Sequence, residues 1–252
     1  MSDKYLIVLR GLIRGKRHWG PYFDEFVKSF PEYEIVGLDI AGNGSRFKEK
    51  SFTSIKENVL DIREKFNQEY DPSKEKHILA LSLGGMIACE WVQSFPQDFK
   101  SAVLVNTSFK GISPTFKRLQ LSALLKFFKI ALTKDPVQRE EIVYSLVSSS
   151  DPKEELIQLW AQLQRQNPIS AANAIRQIYA AATFNPRVNQ KFPVPGYILN
   201  GERDKLCNSA CSVQTAHHWN LSIDQHPTGG HELQNDDLQW FLDHVRKWLD
   251  EQ

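Results

Sequence analysis

Three residue types set in one order frame the chemistry open to this chain: Ser82, a carboxylate at Glu202 or Asp204, and His231. A serine hydroxyl is a poor nucleophile until a base takes its proton, and an imidazole serves as that base once a carboxylate fixes its tautomer. Ser82 sits in His77-Ile78-Leu79-Ala80-Leu81-Ser82-Leu83-Gly84-Gly85-Met86-Ile87-Ala88. A short apolar run reaches the serine, passes two glycines and resumes as an apolar, helix-compatible segment, which reads as strand, sharp turn and buried helix. Such a turn strains the backbone of its central residue and lifts the hydroxyl clear of the sheet. Glu202 and Asp204 follow the apolar run Gly196-Tyr197-Ile198-Leu199-Asn200, and His231 follows Pro227-Thr228-Gly229-Gly230. Of the other histidines, His217, His218 and His226 lack the glycine turn that would expose an imidazole, and His77 and His244 read as structural or solvated.

The elements that must position these groups are legible as alternating patterns. Strands are predicted at 5–9, 33–40, 78–81, 101–106, 196–200 and 219–224, the first of them a continuous apolar run of the kind buried on both faces. Between them lie helical stripes. One is Trp19, Tyr22, Phe23, Phe26, Val27 and Phe30; another is Ile55, Val59, Ile62 and Phe66, led by a capping box at Ser54 and Glu57. The last helix takes Asn235 as its cap, with Asp236 and Asp237 in its first turn. Strand and helix alternate as in a parallel sheet covered on both faces. In such a sheet reactive groups collect beyond the carboxyl ends of the strands, where Ser82, Asp204 and His231 all fall. The alternation breaks from 109 to 191, where only helical segments punctuated by prolines are predicted. Residues 1–108 and 192–252 therefore form an α/β core, and 109–191 a helical cap inserted into it. Leu156, Leu159, Trp160, Leu163, Ile175, Ile178 and Tyr179 of that cap are expected to pack onto the core and close an apolar cleft.

This joint arrangement resembles the α/β-hydrolase family, and in particular is similar to capped carboxylesterases and acyl-carrier-protein methyl ester esterases. The serine turn is like the G-x-S-x-G elbow with Ala80 in place of the first glycine; Gly201-Glu202-Arg203-Asp204 is like the G-x-x-D turn, and Gly229-Gly230-His231 like the G-G-H turn. Asp39-Ile40-Ala41-Gly42-Asn43-Gly44 is like the D-x-P-G-x-G loop, with Ala41 replacing proline and Asp39 bracing its loop. The resemblance implies about six mainly parallel strands, without the family's initial antiparallel hairpin. It favours Asp204 over Glu202 as the acid and assigns the oxyanion hole to the backbone N–H groups of Leu12 and Leu83. Where the family commonly has histidine-glycine, this chain has Arg10-Gly11, so Arg10 is expected either to pair with a carboxylate or to reach an anionic substrate group. Trp19, Phe109 and Trp160 complete the expected substrate contacts. The implied activity is that of a serine hydrolase acting on carboxylic esters or thioesters with a medium-length acyl group, using neither metal nor organic cofactor. Carbon–carbon hydrolysis or a lyase reaction on the same triad, or a binding protein with an idle triad, are the alternatives.

Composition narrows the partners. Lysine and arginine number 31 against 30 acidic residues among 252, so net charge points to neither nucleic acid nor a membrane. No stretch approaches the apolar length of a membrane span, and the amino terminus lacks the pattern of a secretory signal. A cytoplasmic protein is the expectation, in keeping with three cysteines (Cys89, Cys207, Cys211) that form no disulfide framework. Cys207, Cys211, His217 and His218 lack the thiolate-rich spacing of a metal site. Charge is nevertheless uneven: 109–134 carries Lys110, Lys117, Arg118, Lys126, Lys129 and Lys134 and no acidic residue. Such a stretch would suit an acidic acyl-carrier partner or an anionic lipid surface.

Overall fold

The computed structural model describes residues 2–252. Six parallel strands form one sheet in the order β2-β1-β3-β4-β5-β6: β1 Lys4–Leu9, β2 Tyr33–Leu38, β3 Glu75–Leu81, β4 Ser101–Val105, β5 Gly196–Gly201 and β6 Ser222–His226. Alternate side chains serve opposite faces. Ile7, Leu9, Ile78, Ala80, Leu104 and Ile198 point to one, where α2 (Ile55–Glu69), α3 (Leu83–Ser94) and α9 (Ala210–Trp219) pack. Leu6, Val8, Leu79, Leu81, Val103 and Leu199 point to the other, against α1 (Pro21–Ser29) and α11 (Leu238–Asp250). Each fully buried Leu or Ile contributes about 1.5–3 kcal/mol, which is why both sets of strand residues had to be apolar.

In register, Leu9 pairs with Ala80 and Leu38, and Leu81 with Val105. Arg10, Ser82, Asn106 and Glu202 therefore leave the sheet along one edge. Several boundaries differ from the sequence reading. Trp219 closes α9, and β6 starts at Ser222. Val27 is exposed on the outer side of α1. Ser54 is the N-cap of α2, but its side chain makes no capping hydrogen bond. Asp237, not Asn235, caps α11 through the Trp240 amide, because Asn235 and Asp236 lie in the preceding single turn, α10 (Leu233–Asp236).

Between β4 and β5 the described chain forms α4 (Thr115–Arg118), α5 (Leu121–Leu132), α6 (Pro136–Val147), α7 (Glu154–Gln166) and α8 (Ala171–Thr183). Tyr144, Leu156, Ile157 and Trp160 of α6 and α7 join the cluster on the α1 side. Leu156, Trp160 and Leu163 are buried as expected, and Leu159 packs partly buried. Ile175, Ile178 and Tyr179 are exposed instead, because α8 buries Asn173, Gln177 and Ala180. No described helix is long and apolar enough to cross a membrane.

Candidate active site

Ser82 ends β3 and is the N-cap of α3, at φ 57° and ψ −115°. A non-glycine residue in such a conformation costs about 1–3 kcal/mol, so its surroundings must hold it there. Its amide donates to the Val105 carbonyl at 2.9 Å, and its carbonyl accepts from the Met86 amide at 3.2 Å. The two following glycines are required by close approach. A Cβ at Gly84 would lie 2.7 Å from the Arg10 carbonyl, and one at Gly85 would fall inside the Thr107 side chain. Ala80 meets no such obstacle, since its methyl group points into the core from an extended strand. A first glycine is therefore dispensable here.

His231 is buried in the loop after β6, and its Nδ1 lies 2.6 Å from Asp204 Oδ2. A carboxylate only accepts, so the bond places the neutral imidazole's proton on Nδ1 and leaves Nε2 as the basic nitrogen. Burial works to lower the His231 pKa, but the charge and hydrogen bond of Asp204 outweigh it and hold the imidazole above its usual value. Asp204 is fixed in turn: its Oδ1 accepts from the amides of Leu206 at 2.8 Å and Cys207 at 2.9 Å. Glu202, the other carboxylate of this turn, is exposed. Ser82, Asp204 and His231 thus share the carboxyl edge of the sheet.

The loop after β1 runs beside the serine. A Cβ built on Gly11 would stand 3.2 Å from Ser82 Cβ and 3.7 Å from its Oγ. Leu12 follows directly, and the Leu83 amide opens α3, where the helix dipole favours negative charge. Ile13 is held at φ 61°, unusual for a β-branched residue. Asp39 braces the neighbouring loop, accepting from the Ser45 amide and hydroxyl at 2.9 Å and from the Lys16 amide.

Four residues expected at the substrate are enclosed by the protein's own atoms instead. Arg10 gives both Glu232 oxygens bonds from Nη2, at 2.8 and 2.9 Å, and lies over the Trp19 ring at 4.6 Å. Pairing with a carboxylate, the first of its two expected uses, leaves its side chain 1% exposed. Trp19 is 1% exposed and packs edge-on against Phe26. Phe109 is fully buried against Phe184 and Trp219. Trp160 is fully buried, its Nε1 donating to the His18 carbonyl. In this conformation none of the four offers surface to a ligand.

Other residues around the site gave little signal in the sequence. Asn106, at φ 46°, donates to the carbonyls of Gly230 and His231 at 3.1 and 2.7 Å and accepts from the Gly201 amide at 3.0 Å. It ties the end of β4 to both loops that carry Asp204 and His231. Arg14 pairs with Glu140 of α6 and lies 4.7 Å over Trp160. Gln177 of α8 accepts from the Ile13 amide at 3.0 Å and donates to Asn43 Oδ1 at 2.6 Å and Ser51 Oγ at 3.1 Å. An asparagine at a strand's end tolerates the left-handed region, the one local hint available for Asn106.

The sequence profile of Hydrolase_4, described as serine aminopeptidase, S33, matches residues 6–237. The chain belongs to this family. Its structure is similar to an esterase from Exiguobacterium antarcticum, with a TM-score of 0.79 and 16% identity over 99% of this chain and 92% of that one. A thermophilic esterase from Thermogutta terrifontis gives a TM-score of 0.73 and 16% identity, covering 99% and 90%. A membrane phospholipase A described as a bacterial virulence factor gives 0.78 and 17%, covering 99% and 79%. Likeness at this identity establishes the α/β-hydrolase fold. Comparison with curated proteins gives no match.

Proposed function

We propose that the chain is a serine esterase in which Ser82, His231 and Asp204 act as the catalytic triad. The observation that carries this reading is the strained Ser82 at a strand's end, on the same edge as a buried, hydrogen-bonded His231–Asp204 pair. Ser82 Oγ attacks the acyl carbonyl while His231 Nε2 takes its proton, and Asp204 holds the imidazole in that tautomer. The amides of Leu12 and Leu83 stabilise the oxyanion. His231 then protonates the departing alcohol, and water, activated by the same nitrogen, releases the acid from the acyl-enzyme. Helices α4–α8 serve as a cap over this edge.

The charges at the site favour a neutral acyl ester over a peptide amino terminus. An aminopeptidase needs a carboxylate free to hold an α-ammonium group. Asp39, Glu140, Asp204, Glu232 and Asp236 are each engaged by the chain's own donors, while Glu202, on the same edge, is exposed to solvent, where an ammonium group gains little from it. A medium-length acyl chain is the acyl group of this proposal. The test is turnover of p-nitrophenyl esters of increasing chain length beside aminoacyl p-nitroanilides. Ester hydrolysis peaking at medium length and lost in Ser82→Ala is expected. Hydrolysis of the anilides alone, or ester turnover retained in Ser82→Ala, would overturn the proposal.

A further inference from the structure

We infer that α4 and α5 form a docking face for an anionic lipid surface. Leu121, Leu124, Leu125, Phe128 and Leu132 stand at i, i+3, i+4, i+7 and i+11, and so fall on one side of α5. All five are exposed, Leu121 by 74%, Leu125 by 70% and Phe128 by 69%. Ala123 is buried and Phe127 packs partly buried against the core, both on the opposite side of the helix. The helix is apolar on two sides, and the protein covers one. Phe116 of α4 adds another apolar side chain, 73% exposed.

Charge decides what suits the uncovered side. Lys110, Lys129 and Lys134 are exposed and Lys117 half-buried, while Lys126 is hydrogen-bonded to Ser145 and Arg118 turns inward to the Ala181 carbonyl at 2.7 Å. No carboxylate lies between 109 and 134, and the nearest in sequence, Asp135, caps α6 through the Gln138 amide. A second copy meeting this face symmetrically would bring the two sets of lysines together, which opposes self-association. An acidic protein would answer the lysines but gives no reason for a bare convex stripe of leucine and phenylalanine. A flat anionic bilayer answers both. The apolar side chains enter the acyl boundary, and the lysines reach phosphate groups along their own stems.

The face is also joined to the catalytic edge. Gln120, the N-cap of α5, donates its amide to the Leu206 carbonyl at 3.0 Å and its Nε2 to the Asp204 carbonyl at 2.7 Å. Docking through α5 would therefore set the loop bearing Asp204 against the surface from which a lipophilic ester could enter.

Flotation of the full chain with vesicles of phosphatidylcholine alone, or mixed with phosphatidylglycerol, reads this without turnover, so its outcome is independent of the esterase proposal. Partition onto the mixed vesicles at low salt is expected, weakening as salt screens the lysines. L125E/F128E is expected to reduce it by more than about tenfold, and Lys129→Ala or Lys134→Ala by about fivefold each. All four positions are exposed, and an unchanged circular dichroism spectrum verifies folding. Equal partition onto both compositions, no partition onto either, or partition retained in L125E/F128E would overturn the inference. So would a dimer lost in L125E/F128E, or saturable binding of an acidic acyl carrier protein without vesicle binding.

Discussion

The inserted helices fall into two regions held in opposite ways. α6, α7 and α8 are fastened by buried polar contacts: Glu140 to Arg14, the Trp160 indole to the His18 carbonyl, and Gln177 to Ile13, Asn43 and Ser51. α5 buries Ala123 alone and leaves a row of leucines and Phe128 in solvent. The fastened region touches the loops after β1 and β2, beside Ser82, where directional bonds fix positions that apolar packing would leave loose. The loose region is tied at its start by Gln120 and to α6 by Lys126, and only its outer row is left for nondirectional contacts with a surface met later. Precision and adhesion are divided between neighbouring helices.

This division can be broken or sharpened in order of effect. The largest belongs to the proposed triad. Asp204→Asn is expected to lower kcat by about 10⁴-fold. It should also move the acid limb of kcat/KM to lower pH. His231 must be neutral to accept the serine proton, and Asp204 holds its pKa up against burial, so wild-type activity falls as pH drops through that raised value. Removing the carboxylate lets the imidazole stay neutral further into acid. Substitutions on the exposed row of α5 should leave the limb in place.

Next comes the buried ion pair. Glu140→Ala strands Arg14 without its partner, and urea unfolding should register a loss of about 3–5 kcal/mol. A loss under 1 kcal/mol would mean that α6 is no better fastened than α5. Gln177→Met keeps the length of the side chain but leaves the half-buried Ile13 amide without its acceptor. A fall in kcat of roughly tenfold to a hundredfold, with KM little changed, is expected from displacing the loop after β1 that carries the proposed oxyanion donor Leu12. Partial recovery in Gln177→Glu, which keeps the acceptor, would separate positioning from simple packing. The smallest effect lies on α5, where Leu125→Ser should change unfolding free energy by no more than about 0.5 kcal/mol.

Much of this was readable because it is local. Most strands declare themselves as apolar runs, and Ser82 and Asp204 stand where such a run ends in a glycine-bearing turn, while His231 follows a glycine pair after the more polar β6. What stayed hidden is held by partners far apart in the chain. Arg10 and Glu232 are separated by 222 positions, Ile13 and Gln177 by 164, and Arg14 and Glu140 by 126. No periodicity relates such pairs, since each depends on how two loops meet after folding. The same cause accounts for the cap of the last helix. Asp236 looked like a first-turn residue, yet it accepts from the amides of Gly230, Ser149 and Ser150, and the capping bond falls to Asp237. Polar residues near the site were recognisable in kind, but not in whom they serve.

The most direct test of the account is covalent labelling with a fluorophosphonate, read by intact mass and by mapping the modified peptide. One adduct on Ser82 is expected, with a labelling rate that rises with pH as His231 becomes neutral. The adduct should be absent in Ser82→Ala and slow to form in His231→Ala. An adduct that persists in Ser82→Ala, or that maps to another residue, would contradict the assignment of Ser82 as the nucleophile.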